Sequence, residues 1–127
     1  MTPADRFARL PDLLAADTDL RRRGRWLDVA CRIDIGPEPF HLTLREGGLT
    51  ALERGPRLMR SVAFSIRGTD EAWQRHWQKV PDPGWHDLFA LTKRGAASME
   101  GDLLPLLQNL QYFKDLLALP RRLPEGN

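Results

Sequence analysis

The sequence predicts an α+β fold: a five-stranded, mostly antiparallel sheet covered on one face by helices. Three observations carry this. Residues 27–35, LDVACRIDI, alternate apolar and polar positions, the period of a half-buried strand. The same alternation returns at FHLTL and VAFSI. Beyond Thr69 the period changes to that of a helix, and a final apolar stretch, residues 101–120, GDLLPLLQNLQYFKDLLALP, has to lie against something.

Each element follows from its residues. Residues 3–16, PADRFARLPDLLAA, read as one broken or two short helical segments within a helical N-terminal region, residues 1–20. Pro11 interrupts the pattern there, and Phe7, Leu10, Leu13 and Leu14 dock on a core. The basic run RRRGR, Arg21 to Arg25, is expected as a solvated turn before the first strand, with a phosphate or lipid-headgroup contact as the alternative. Leu27, Val29, Cys31, Ile33 and Ile35 then face one way. GPEP breaks that strand, FHLTL brings Phe40, Leu42 and Leu44 to one face, and a GG turn closes it. LTALERG is a weaker third strand. RSVAFSIRG is a strong fourth, with Val62, Phe64 and Ile66 on one side. Four strands with short links predict an antiparallel meander.

Thr69 is an N-cap for DEAWQRHWQKV, which has acids in its first turn and Lys79 near its end. PDPG stops that helix, and WHDLFALTKRG is another, ended by Gly95. AASMEG is a short last strand of the same sheet. Asp102 caps the final helix, with Pro105 in its first turn. The tail, residues 119–127, is expected to be flexible.

The chain of 127 residues suits a single domain. Its 19 Lys and Arg against 17 Asp and Glu give no strong field for nucleic acid. The single cysteine, Cys31, excludes an intrachain disulfide and reads as a buried strand thiol. No apolar run is long enough to span a membrane. The N-terminus MTPADRFARL mixes acid and base without an apolar core, unlike a secretory signal. A cytoplasmic location is the resulting expectation.

Chemistry-bearing motifs are missing. His41, His76 and His86 form no i,i+4 pair, and no HExxH, clustered cysteines, GxSxG elbow, Walker loop or GxGxxG occurs. Asp70 and Glu71 read as first-turn acids. No metal, cofactor or reaction is predicted. Trp73 and Trp77, four apart on one helix face, are core residues or the wall of an apolar site.

The last helix narrows the choice. At about 100° per residue, Leu103, Leu106, Leu107, Leu110, Phe113 and Leu117 share one sector, flanked by Leu104 and Leu116. Gln108, Gln111 and Asp115 lie opposite. So broad a stripe is either buried outright or built into a cavity, and both stay open. Lys114 is the exception inside the stripe: its ammonium snorkels to the rim or meets the polar head of a bound amphiphile. Phe64, Trp73, Trp77, Phe89 and Met99 are the apolar groups expected to oppose Leu107, Leu110, Phe113 and Leu117.

Taken in order, LREGGL after a strand, SVAFSIRGTDEAWQRHWQ and ALTKRGAASMEGDLLPLLQNL resemble the sterol carrier protein type-2 family of small lipid-transfer domains, over roughly residues 24–118. The motifs are structural, and their combination and order carry the resemblance. It implies one domain, residues 1–127, with an apolar tunnel between sheet and helices holding a fatty acyl chain, sterol or isoprenoid lipid, and no catalysis. The short loops imply a small or closed tunnel. It leaves a second possibility, an accessory domain for a partner enzyme without a ligand of its own. Transient membrane contact is compatible with either.

Overall fold

The computed structural model describes residues 1–57 and 61–124. Its centre is a five-stranded sheet in the order β3-β2-β1-β4-β5. β1 (Asp28–Ile35), β2 (Glu38–Arg45) and β3 (Gly48–Arg54) form an antiparallel meander. β4 (Phe64–Gly68) departs from the expected pattern. It lies beside β1 and parallel to it, Cys31 opposite Phe64 and Ile35 opposite Gly68. β5 (Ala97–Gly101) pairs antiparallel with β4. β4 therefore starts toward the same end of the sheet as β1, which a hairpin link from β3 could not achieve. Placing β4 inside the sheet buries Phe64 beside Cys31 and Ile66 beside Ile33. Val62, expected in this strand, precedes it and is half-buried. Arg60 lies outside the described residues.

Helices cover one face. α1 (Pro3–Phe7) is closed by a reciprocal cap between Thr2 and Asp5, and α2 (Leu10–Ala15) restarts with Pro11 in its first turn. The RRRGR run is not a simple turn: Arg21 to Arg23 form the last turn of a third helix, α3 (Thr18–Arg23). The Asp17 side chain accepts the Leu20 N–H at 2.9 Å and starts that helix, while buried Leu20 anchors it. Cations at its carboxyl end suit the helix dipole.

α4 (Asp70–His76) begins at Thr69 as expected but stops four residues before Val80. Pro81 has no N–H to continue the ladder and disfavours a helical residue before it. α5 (Leu88–Lys93) starts later than expected, since Trp85 is held in the preceding turn between the guanidinium groups of Arg75 and Arg94, 4.6 and 4.2 Å from its ring. Gly95, φ +80°, ends α5 as expected.

The final helix is two helices, α6 (Leu104–Gln108) and α7 (Leu110–Leu117). Asn109 breaks it at φ −125°, ψ 36°, with its side-chain amide donating to the Pro105 carbonyl at 2.9 Å. That bond competes with the helix ladder. The break invalidates one continuous helical wheel. Leu106, Phe113, Leu116 and Leu117 are buried, Leu110 is half-buried, and Leu104 and Leu107 are exposed.

The tail also differs from expectation. Leu119–Arg122 form a 3₁₀ turn with Leu119 and Pro120 buried. Buried Arg6 donates to the carbonyls of Pro124 and Pro120 at 2.8 and 3.0 Å, and Arg121 donates to the His76 carbonyl at 3.0 Å through Nε. Residues 125–127 of the expected flexible tail lie outside the described residues. Among the described residues no helix is long and apolar enough to cross a membrane.

Candidate functional site

The predicted site residues separate into two groups. Phe64, Trp73, Trp77, Phe113 and Leu117 are 0–1% exposed. Phe64 meets Phe113 edge-on at 5.3 Å, Trp73 stacks on Trp77 at 5.4 Å, and Trp77 stacks on Phe7 at 6.1 Å. Both indole N–H groups are satisfied, Trp73 by the Asp34 carbonyl at 3.0 Å and Trp77 by the Leu117 carbonyl at 2.7 Å. A side chain with essentially no accessible surface touches no void that admits water. These five therefore form a filled core in this conformation.

The second group lies along the margin of that core. Phe89, Met99, Leu110 and Lys114 are half-buried, and Leu107 is exposed. Met99 sits on edge strand β5 opposite Ile66, so its side chain faces the helices. Leu103 and Ala63 pack against the core alongside it. α6 spans this margin as five residues between two special backbone positions, Gly101 at φ +96° and Asn109. A Cβ on Gly101 would also collide with the Ala63 carbonyl oxygen at 2.7 Å, so the tight exit from β5 requires glycine.

Lys114 is half-buried and makes an ion pair within the protein. Its Nζ lies 3.0 Å from an Asp87 carboxylate oxygen and 5.2 Å from the centre of the Phe89 ring. The ion pair joins α7 to the start of α5, with both side chains about a quarter to a third exposed. Sequence reasoning missed Asp87. It sits 27 residues from Lys114 in the chain, and nothing local announces the partnership. An open cleft of about 430 Å³ lies at the other end of the sheet, along Gly36, Gly68, Thr69 and Ala97, and none of the predicted site residues lines it.

His76 is buried at the carboxyl end of α4, with Nδ1 2.9 Å from the Trp85 carbonyl and Nε2 without a hydrogen-bond partner among the described residues. The neutral ring with its proton on Nδ1 fits this arrangement. Burial, above all, pushes its pKa down from 6.5 to about 4. The unfolded chain thus takes up a proton that the folded chain resists. The stability conferred is complete above pH 6.5 and is lost as pH falls toward 4, at most roughly 3 kcal/mol. His76→Gln should flatten the fall in denaturation midpoint across that window; an identical slope in the variant would contradict the assignment.

No family model matches this sequence, and no curated protein matches it by sequence. Solved structures match its fold. A crystal structure of sterol carrier protein 2 superposes with a TM-score of 0.72, covering 94% of this chain and 95% of its own, at 14% identity. The UbiJ-SCP2 ubiquinone synthesis protein gives 0.59, 95% and 92%, at 18% identity. The stereoselective inverting sec-alkylsulfatase from Pseudomonas sp. gives 0.59 at 22% identity over 88% of this chain but 16% of its own, so the shared fold there is a small part of a large enzyme. The chain has the sterol-carrier-type fold that its sequence motifs implied.

Proposed function

We propose that this sterol-carrier-type domain binds the apolar body of a lipid, a fatty acyl chain, sterol or isoprenoid, without catalysing a reaction on it. The site opens between the β5 margin of the sheet and helices α5, α6 and α7. One observation carries this: a half-buried apolar margin, Phe89, Met99, Leu103 and Leu110, lies beside a short helix bounded by Gly101 and Asn109 that holds only Leu106 in the core. An element so lightly anchored opens at lower cost than the core. Its displacement would carry Leu106 aside and uncover Phe113 as the inner wall. Structural neighbours whose names tie them to sterol carriage and to ubiquinone synthesis support the ligand class.

Lys114 supplies selectivity in this scheme. A ligand carboxylate would take the place of Asp87 beside the ammonium, above the Phe89 ring. A fluorescent fatty acid should bind with micromolar affinity, about −8 kcal/mol. Lys114→Met should keep binding of the methyl ester and lose the preference for the acid, by about tenfold or less for a partly exposed charge. Equal acid-to-ester ratios in the wild type and Lys114→Met would remove the headgroup role. The absence of saturable uptake of acyl, sterol and isoprenoid probes alike would remove the binding function itself.

A second reading, an accessory domain for a partner enzyme, is favoured by the filled core together with exposed Leu104 and Leu107. The alkylsulfatase shows the fold inside an enzyme. Native mass spectrometry of the purified protein separates the two: co-purified lipid supports the first, and a lipid-free protein that also refuses the probes supports the second.

A further inference from the structure

The two edges of the sheet differ. β3, at one edge, shifts register against β2 between Thr43 and Leu44 and ends on Glu53 and Arg54. Bulges and charges of this kind guard an edge against further pairing. β5, at the other edge, keeps an unbroken register against β4, and its residues ASMEG include no proline and no lysine. Two flanking bonds fix the phase of its ladder: Asp102 N–H to the Ala63 carbonyl at 2.8 Å and Thr69 N–H to the Ala96 carbonyl at 3.3 Å. Hydrogen-bonded pairs recur at every second residue of an antiparallel ladder, so Ser98 and Glu100 direct their backbone groups to β4. Ala97, Met99 and Gly101 turn theirs outward. Among the described residues no loop or side chain is bonded to those outward groups. Ser98, Glu100 and Gly101 are exposed, and the open cleft along Ala96, Ala97 and Ser98 leaves room beside the strand.

Charge is polarised along this edge. Exposed Glu100 and Asp102 stand at the carboxyl end of β5, and exposed Lys93 and Arg94 precede its amino end. Arg94 bonds the Gly84 carbonyl at 3.3 Å and lies against the Trp85 ring, and among the described residues neither cation is ion-paired. Asp70 lines the cleft at the amino end and offsets part of that charge, while Glu100 lies 3.8 Å from Arg67.

We propose that β5 pairs antiparallel with β5 of a second copy of this chain, joining the two sheets into one across a two-fold axis at Met99. Antiparallel pairing brings the acidic end of each strand to the basic end of the other, whereas parallel pairing sets like charge on like. With the axis at Met99, Ala97 meets Gly101 of the second copy, Ser98 meets Glu100 and Asp102 meets Ala96. Outward backbone groups then meet outward groups, and no carboxylate faces another. Moving the axis to Glu100 would set the two Glu100 carboxylates face to face. Met99 contributes its backbone to this pairing and its side chain, on the helix side, to the proposed lipid site, so the two readings stand independently.

Sedimentation equilibrium tests this. The wild type, 14.5 kDa, should rise with concentration toward twice that mass. Ser98→Glu sets a carboxylate opposite Glu100 of the second copy at both symmetric places, while Arg67 beside it in the same chain favours it in the monomer. This variant should associate about tenfold more weakly, with unchanged circular dichroism. Ser98→Glu combined with Glu100→Lys sets opposite charges across the axis and should restore association. In the wild type, amide exchange at Ala97 and Met99 should slow as the dimer forms, a reading that needs no variant. A wild type that stays monomeric at high micromolar concentration overturns the inference, and is the result expected if the edge takes only a strand of a different protein. So does a correctly folded Ser98→Glu that associates like the wild type, a double variant that is not restored, or exchange at Ala97 and Met99 that ignores concentration. Ser98→Glu should still take up a soluble fluorescent fatty acid, so loss of association and loss of lipid binding are read apart.

Discussion

Trp77→Ala should destabilise the domain by about 3–5 kcal/mol and leave little folded protein at physiological temperature. Trp77 joins three parts of the molecule. Its ring stacks on Phe7 of α1 and Trp73 of α4, and its indole N–H serves the Leu117 carbonyl at the end of α7. Alanine removes a large side chain that is 1% exposed and opens a cavity. It also leaves a buried carbonyl without its donor, a further cost of about 1–3 kcal/mol. Trp77→Phe separates the two contributions by keeping a ring while removing the N–H, and its cost should be intermediate. Urea unfolding measures both. A midpoint for Trp77→Ala close to that of the wild type would show that the three helices are held together by something else.

Ending the chain after Ala118 should cost about as much, although a frayed tail would be dispensable. The shortened chain loses buried Leu119, worth roughly 1.5–3 kcal/mol. It also strips Arg6 of the carbonyls of Pro120, Leu123 and Pro124. A guanidinium on a buried residue that has lost its acceptors is expensive, about 3 kcal/mol or more. Ending the chain after Pro124 instead should shift stability by no more than about 0.5 kcal/mol. Equal thermal midpoints for the two truncations would contradict the role given to Arg6.

The strands were legible because a two-residue period is a local property. Ile33, Ile35, Phe64 and Ile66 could be assigned to a buried face without knowing their neighbours. Which strand lies beside which is not local, so the parallel pairing of β4 with β1 was invisible. The helix breaks were hidden for related reasons. The Asn109 amide that turns on Pro105 and the Trp85 ring between Arg75 and Arg94 depend on side-chain geometry, which a periodicity does not encode. Arg6 finds its carbonyls more than a hundred residues away, and Lys114 finds Asp87 across two elements. The apolar stripe of the last segment could not show the turn at Asn109, which leaves Leu107 exposed while Leu106, Phe113, Leu116 and Leu117 are buried.

The ligand-binding function is tested most directly by a titration of the methyl-labelled protein with a soluble fatty acid, followed by nuclear magnetic resonance. Saturable shifts are expected for Met99, Leu103, Leu104, Leu107 and Leu110, with Leu106 following as α6 moves aside, while Leu10, Leu14 and Leu42 on the far side of the core stay in place. Absence of saturable shifts, or saturable shifts centred on Leu10, Leu14 and Leu42, would contradict a lipid site at the α6 margin.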